Sequence, residues 1–356
     1  MPTPLIRIGI LGLHHDHVWT VLDEIAEIDG MEAVAAADPH VELREKFSGK
    51  TACPVYVDPQ ELLDREGGLD AVFLYGDNRS GSRLAIEAMD RGLHAMVEKP
   101  MAANAADADL MLKAAERNGV RLMINWPFAW WYQLQHALRL CLEGDIGTLW
   151  MVKYRAAHEG IVRMGHSRYF ADWAEDRERS GGGAMTDYCC YGALLAKVLL
   201  GMPESVSGLW GNFFRPDLDV EDNAVISLKY PRAMAVAEAS WTQHGKLGSY
   251  TPIIYGETGS ILVEPRNGGR LFRADLNQPK GVEIPVPEPE EHLRGTCRHF
   301  RWILENPQAS LFSLCDPRHC RDGNAITDAG AESASGDSRL VPPRAAEGSR
   351  GQPFSG

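Results

Sequence analysis

The chain has 356 residues, 44% apolar and 24% charged, too long for one ordinary core and suited to two domains of roughly 120–200 residues each. A formal charge of -13, from 36 Lys and Arg against 49 Asp and Glu, excludes the basic face that nucleic-acid binding requires. No apolar run reaches the roughly 18 residues of a membrane span, and the start, Met1-Pro-Thr-Pro, lacks a basic segment followed by a long apolar one. A cytoplasmic chain without membrane contact is expected, and the 7 cysteines, odd in number and irregular in spacing, read as reduced thiols.

Arg7 to Leu13 reads as an apolar strand that runs into a glycine turn and then a helix, Val18 to Ile28, the opening of a dinucleotide-binding unit. The next strand, Glu32 to Ala37, ends at Asp38. A carboxylate there accepts ribose hydroxyls and repels a 2′-phosphate, so NAD is expected rather than NADP. With the first fingerprint glycine on Gly12 and Leu13 beside it, His14 and His17 fall where the second and third glycines belong. Their side chains must point aside from a pyrophosphate or hydrogen-bond it themselves. The consecutive residues His14-His15-Asp16-His17 do not converge easily on one ion as they leave a strand. Cys297, His299, Cys315, His319 and Cys320 lack the spacing of zinc knuckles, so no metal is expected.

Gly68 to Tyr75 is the next strand, closed by Gly76-Asp77-Asn78 and followed by a helix, Gly81 to Arg91. The stretch His94-Ala-Met-Val-Glu98-Lys99-Pro100-Met101 organises what comes after. Its short apolar run has the length of a buried parallel strand and ends in two opposite charges and a proline. At the carboxyl end of a central strand, Lys99 faces the crevice where open α/β sheets bind cofactors, and Pro100 fixes the angle at which it leaves. A helix from Ala105 to Asn118 and a strand from Arg121 to Asn125 complete an alternation that predicts a parallel sheet with helices on both faces over residues 1–125.

Beyond Trp126-Pro127 the pattern changes. A helix, Tyr132 to Leu142, leads into strands at Thr148–Ala156, Pro203–Phe214, Asp222–Tyr230, Ala233–Thr242, Pro252–Tyr255 and Ser260–Glu264. Alternation in Ala224-Val-Ile-Ser-Leu-Lys229 and Met234-Ala-Val-Ala-Glu238 fits an antiparallel sheet with one covered face. Gly181-Gly-Gly-Ala-Met-Thr-Asp187 opens a helix to Leu200 that carries Asp187 and Tyr191, four apart, on one face. Helices at Glu290–Glu305 and around His319–Ser333 close a second domain, 126–340. Residues 341–356 are rich in Pro, Gly, Ser and Arg and read as an unstructured tail.

These pieces resemble the Gfo/Idh/MocA oxidoreductases over roughly Ile6 to Ser333. The likeness rests on Ile8-Gly9-Ile-Leu-Gly12, Asp70-Ala-Val-Phe, Glu98-Lys99-Pro100, Gly181-Gly-Gly-Ala-Met-Thr-Asp187, Glu221-Asp-Asn and Gly256-Glu-Thr-Gly-Ser-Ile, in order and at the family's approximate spacing. The resemblance implies an N-terminal Rossmann domain and a C-terminal α+β domain whose open, predominantly antiparallel sheet makes oligomer contacts, as a homodimer or homotetramer. It also implies nicotinamide-dependent oxidation or reduction of sugar-like alcohols. It puts Lys99 beside nicotinamide and substrate, Asp187 in the same site, and Asn78 and Glu98 against the cofactor with Gly12, Leu13, His14 and Asp38. Tyr191 stands where many members carry histidine. Tyr75-Gly76-Asp77 and Pro127-Phe-Ala-Trp depart from the family pattern.

Hydride transfer at a carbinol carbon needs a group to take or give the hydroxyl proton and positive charge near the developing alkoxide, which Tyr191 and Lys99 supply. A nearby ammonium is expected to lower the phenol's proton affinity, and Asp187 to orient Lys99 or accept a substrate hydroxyl. His158, Tyr169 and Trp173, in the polar and aromatic link before the glycine run, are candidates to bind a polyhydroxylated substrate. The competing reading is a catalytically silent, nucleotide-sensing regulator of the same fold.

Overall fold

The computed structural model describes residues 5–264, 268–344 and 346. Six strands, β1 (Ile6–Leu11), β2 (Met31–Ala37), β3 (Val55–Tyr56), β4 (Ala71–Leu74), β5 (His94–Glu98) and β6 (Leu122–Asn125), form a parallel sheet ordered β3-β2-β1-β4-β5-β6. Central strands such as Ala71–Leu74 are buried at every residue because helices cover both faces, hence the continuous apolar runs in the sequence. The strand order reverses between β1 and β4, which opens the ligand crevice at their carboxyl ends. The Ala105–Asn118 helix starts where Asn104 accepts the amide of Asp107 and stops at Gly119 in the left-handed region.

Eight further strands, β7 (Leu149–Ala157), β8 (Ser205–Gly211), β9 (Asn223–Lys229), β10 (Met234–Ser240), β11 (Ile253–Gly256), β12 (Ser260–Val263), β13 (Leu271–Ala274) and β14 (Val282–Ile284), make the second sheet. Its order is β14-β13-β12-β11-β7-β10-β9-β8, antiparallel except where β7 runs parallel to β10. The Cys190–Leu200 and Pro317–Ser335 helices cover one face. Close approach is written into the small residues: a Cβ on Gly192 would collide with that of Ala237, and one on Gly208 with the carbonyl of Gly330.

The Pro317–Ser335 helix also ties the two sheets together. Asn324 Nδ2 donates to Ala102 O at 2.7 Å, Ala105 N to the Asp328 carboxylate at 2.8 Å, and Arg321 to Asp109 at 2.7 Å. The start of the expected tail is structured: Val341 bridges Val206, and the Arg344 carbonyl accepts from Arg321. Residues 345 and 347–356 lie outside the described residues. Among the described residues, no helix is long and apolar enough to cross a membrane.

Candidate active site

Lys99 leaves β5 at the carboxyl edge of the parallel sheet, is 5% exposed, and is joined to Pro100 by a cis peptide bond. Its Nζ lies 2.5 Å from Asp187 Oδ1, and Trp241 Nε1 donates to the other carboxylate oxygen at 3.0 Å. Asp187 is held there by its glycine run. Gly181 has φ +89 and is packed against the backbone of Ala103, a conformation and a contact that a side chain would forbid. The Gly183 and Met185 amides donate to the buried Glu221 carboxylate. A wide π-type turn at Met185–Cys189 then feeds the Cys190–Leu200 helix, the kind of helix irregularity common at functional sites.

The sheet edge and this turn enclose a cavity of about 510 Å³ whose lining includes His15, His17, Lys99, His158, Asp187 and Tyr191. The ammonium, carboxylate and phenol expected to act together therefore share one cavity. Burial alone would lower the Lys99 ammonium, but the Asp187 charge, above all, raises it. Burial likewise pushes against the Asp187 carboxylate, yet Lys99, His158 and Trp241 hold it below its ordinary range.

Tyr191 departs from expectation. Its ring is wedged among Trp126, Phe128 and Tyr154, at centroid distances of 5.1, 4.9 and 5.9 Å. Burial pushes the phenol well above its ordinary value. Lys99 faces the ring, 5.1 Å from its centroid, and among the described residues makes no hydrogen bond to the hydroxyl. Its charge is already balanced by Asp187, so desolvation outweighs the ammonium and the phenol keeps its proton.

Among the expected substrate residues, His158 lines the cavity, and burial lowers its imidazole to about 4. Tyr169 and Trp173 do not. The link they occupy is a helix, Arg168–Ala174, capped by Ser167, whose 3.6-residue period puts these two on one face, turned from the cavity towards the His14 and His40 segments. The Tyr169 ring lies 4.9 Å from that of His40, and Trp173 Nε1 donates to His14 O at 3.4 Å. Phe170 and His166 face the cavity instead, with Tyr188 and Tyr250, whose hydroxyls are 2.7 Å apart. Sequence gave no signal for Trp241 or Tyr250. Tyr188 is marked only by standing next to Asp187 in the chain.

The fit to a nicotinamide nucleotide differs along the crevice. Gly12 has φ +87, and a Cβ there would meet Gly76 N at 2.6 Å, so the tight turn of the fingerprint is kept. At the far end the expectation fails. Asp38 is 0% exposed, and its carboxylate accepts from Leu13 N, His14 Nδ1, His40 N and His40 Nδ1 at 2.6, 2.8, 2.8 and 2.7 Å. These contacts fill the lone-pair sites that a ribose would use. His15 N is spent on Tyr75 O, and Asn78 Nδ2 on Ser180 O. Glu98 is engaged by His17 Nδ1 at 3.0 Å and Asn125 Nδ2 at 2.7 Å. A nicotinamide ring therefore fits beside Lys99, whereas the phosphate end offers imidazoles in place of free amides.

Two sheets joined at a largely aromatic cavity, with a buried Lys99–Asp187 pair at the mouth of the parallel one, define a two-domain α/β protein with a Rossmann-type sheet. The chain belongs to the Gfo/Idh/MocA oxidoreductase family. Residues 6–126 match the model for the oxidoreductase family with NAD-binding Rossmann fold, and residues 134–262 match the Gfo/Idh/MocA C-terminal domain. The chain is 26% identical over 327 residues to the scyllo-inositol 2-dehydrogenase (NADP(+)) IolU of Bacillus subtilis, covering 85% of this chain and 89% of that one. It is 34% identical over 158 residues to the D-apiose dehydrogenase of Paraburkholderia graminis, covering 44% and 40%. In fold it is similar to an inositol dehydrogenase homolog complexed with NAD+ from Azotobacter vinelandii, with TM-score 0.82, 19% identity, and 95% and 97% of the two chains covered.

Proposed function

We propose that the chain is a nicotinamide-dependent dehydrogenase or reductase of a sugar, cyclitol or related polyol, with NAD as its cofactor. The observation that carries this reading is the buried Lys99–Asp187 pair, 2.5 Å apart, in one cavity with Tyr191. A bound nicotinamide supplies the hydride acceptor or donor beside Lys99. Glu98 and Lys99 would hold the nicotinamide half, and the Gly12 turn with the His14 and His17 side chains the phosphates. The chain's own groups do the rest: Lys99 stabilises charge on the carbinol oxygen, Asp187 fixes Lys99, and Tyr191 holds the proton that passes to that oxygen in the reducing direction. Neutral His158 and the Tyr188–Tyr250 hydroxyl pair suit a hydroxyl-rich ligand. For the cofactor, Asp38 has no lone pair left for a ribose hydroxyl, but its carboxylate, which burial would raise and His14 holds below its ordinary range, keeps a negative charge at the end of β2 that disfavours a 2′-phosphate.

Titration with NAD and NADP separately, followed by the fluorescence of the 9 tryptophans, tests the cofactor. A screen of polyols and keto-sugars at the absorbance of the reduced cofactor tests turnover. Saturable NAD binding with turnover of at least one polyol is expected. Absence of binding to either nucleotide would sink the reading, and binding without turnover would replace it with the sensor.

A further inference from the structure

This chemistry gives His15 no role and sets His17 beside the cofactor's phosphates, and the fold gives both a partner that their order in the chain conceals. His15 and His17 sit where β1 hands over to the following helix, and Glu98 ends β5 two strands away in the sheet. One ligand atom from each of His15, His17 and Glu98 lies within 4.8 Å of the other two. The His15 and His17 rings are 4.6 Å apart at their centroids, and His17 Nδ1 lies 3.0 Å from Glu98 Oε1. Two ligands each about 2.0–2.1 Å from one ion stand about 3.0–3.4 Å apart, so the second spacing already suits a shared metal.

We propose that His15, His17 and Glu98 bind one divalent transition-metal ion in the wall of the polyol cavity. Two imidazoles and a carboxylate are the donor set of sites that keep a coordination position open. Both histidines line the cavity that holds Lys99 and Asp187, so the open position faces where a polyol's oxygens would lie. Outer support is present. Asn125 Nδ2 donates to Glu98 Oε2 at 2.7 Å, and Asn125 Oδ1 is itself fixed by Trp130 Nε1 and Thr296 Oγ1 at 3.0 and 2.6 Å. His166 lines the same cavity with its ring 6.3 Å from that of His17, and its Nδ1 is 3.3 Å from Asp16, leaving the other ring edge free to approach an added ligand. The second candidate group, His14, Asp38 and His40, does not line this cavity, and its carboxylate also accepts from the Leu13 and His40 amides. Four consecutive residues leaving a strand do not converge easily on one ion, but here the carboxylate comes from β5.

The full chain, stripped with a chelator and dialysed, is titrated with Zn2+ by calorimetry and with Co2+ by visible absorption. One ion per chain is expected, with the intense visible bands of four- or five-coordinate cobalt. His15→Ala and His17→Gln should each weaken Zn2+ binding about 100-fold or more, and Glu98→Gln at least about 10-fold. Circular dichroism identifies any variant that fails to fold. In that event the wild-type Co2+ spectrum and X-ray absorption fine structure, which report two imidazole ligands directly, decide the matter. Absence of a stoichiometric ion, binding unaffected in His15→Ala and His17→Gln, or binding lost in His40→Ala instead overturns the site. These readouts involve neither nucleotide nor polyol, so their failure is distinct from failure of the proposed reaction.

Discussion

At the scale of single residues, the Lys99–Asp187 pair is costly to bury and strongly destabilising to break by halves. Removing one partner from a buried pair typically costs about 3–5 kcal/mol, because the other charge is stranded, while replacing both can be close to neutral. Lys99→Met should therefore lower the urea midpoint, and Asp187→Asn in the same chain should recover much of the loss. Turnover separates this structural effect from chemistry. It should fall by about 10²–10⁴ in Lys99→Met and stay low in the double variant, with cofactor binding retained. Tyr191 makes a second, opposite-handed prediction. Burial raises its phenol, so under the proposed mechanism reduction at neutral pH draws on a protonated donor, whereas oxidation needs the scarce phenolate. The oxidation rate should climb with pH through 9 without a plateau, the reduction rate should stay flat over the same range, and Tyr191→Phe should abolish the climb. A stopped-flow pH series in both directions checks it.

At the scale of elements, the chain's own chemistry accounts for what could be read and what could not. The Ala105–Asn118 helix was legible to the residue, because Asn104 and Gly119 mark both ends and its period is regular. The Val41–Lys50 helix was not, since its apolar residues trace no clear stripe and only Leu43 and Phe47 are buried. β13 and β14, of four and three residues at the sheet's edge, are too short to show alternation. In the link before the glycine run, composition marks Tyr169 and Trp173, but the helical period of Arg168–Ala174 sets which side chains reach the cavity. Asp187 and Tyr191 are legible through their motif, but the reversal of Tyr191's acidity depends on rings from two other segments, Trp126 with Phe128 and Tyr154, which no local pattern carries.

Two element junctions can be tested. Gly192→Ala should press the Cys190–Leu200 helix off β10, costing about 1–3 kcal/mol and lowering turnover, since Tyr191 is next in the chain. Asp328, which caps the Ala105–Asn118 helix from the other domain, is raised by burial from 3.8 to about 6. The folded state then holds a proton that the unfolded state has released, so this stabilisation is complete below about pH 3.8 and is lost as pH rises through about 6. The interval corresponds to about 3 kcal/mol. Asp328→Asn, which keeps an acceptor for Ala105 N, should raise the melting temperature relative to wild type by an amount that grows from pH 4 to pH 7. An unchanged difference across that range would contradict the buried carboxyl.

At the scale of the whole molecule, the described residues cover the second sheet on one side only. Its uncovered face carries Met151 and Lys153 of β7, Val225 of β9, Val236 of β10 and Leu262 of β12, all half-buried, with Leu209 of β8 exposed. A broad apolar sheet face seldom stays in water in a soluble chain, and a self-complementary contact through a two-fold axis closes on itself without leaving a free copy of the patch. The occupant we expect is therefore a second copy of this chain, which the family resemblance also implies. Val236 lies mid-strand, opposite Lys153 on one side and Ser227 on the other, so Val236→Glu adds a charge at the centre of the face without touching the covered side that carries Tyr191. Sedimentation velocity should give a dimer or tetramer for the wild type and a shift towards monomer for the variant, with the circular-dichroism spectrum unchanged. A wild type that sediments as a monomer at micromolar concentration would mean the sheet is wetted, and its exposed apolar residues would then need another explanation.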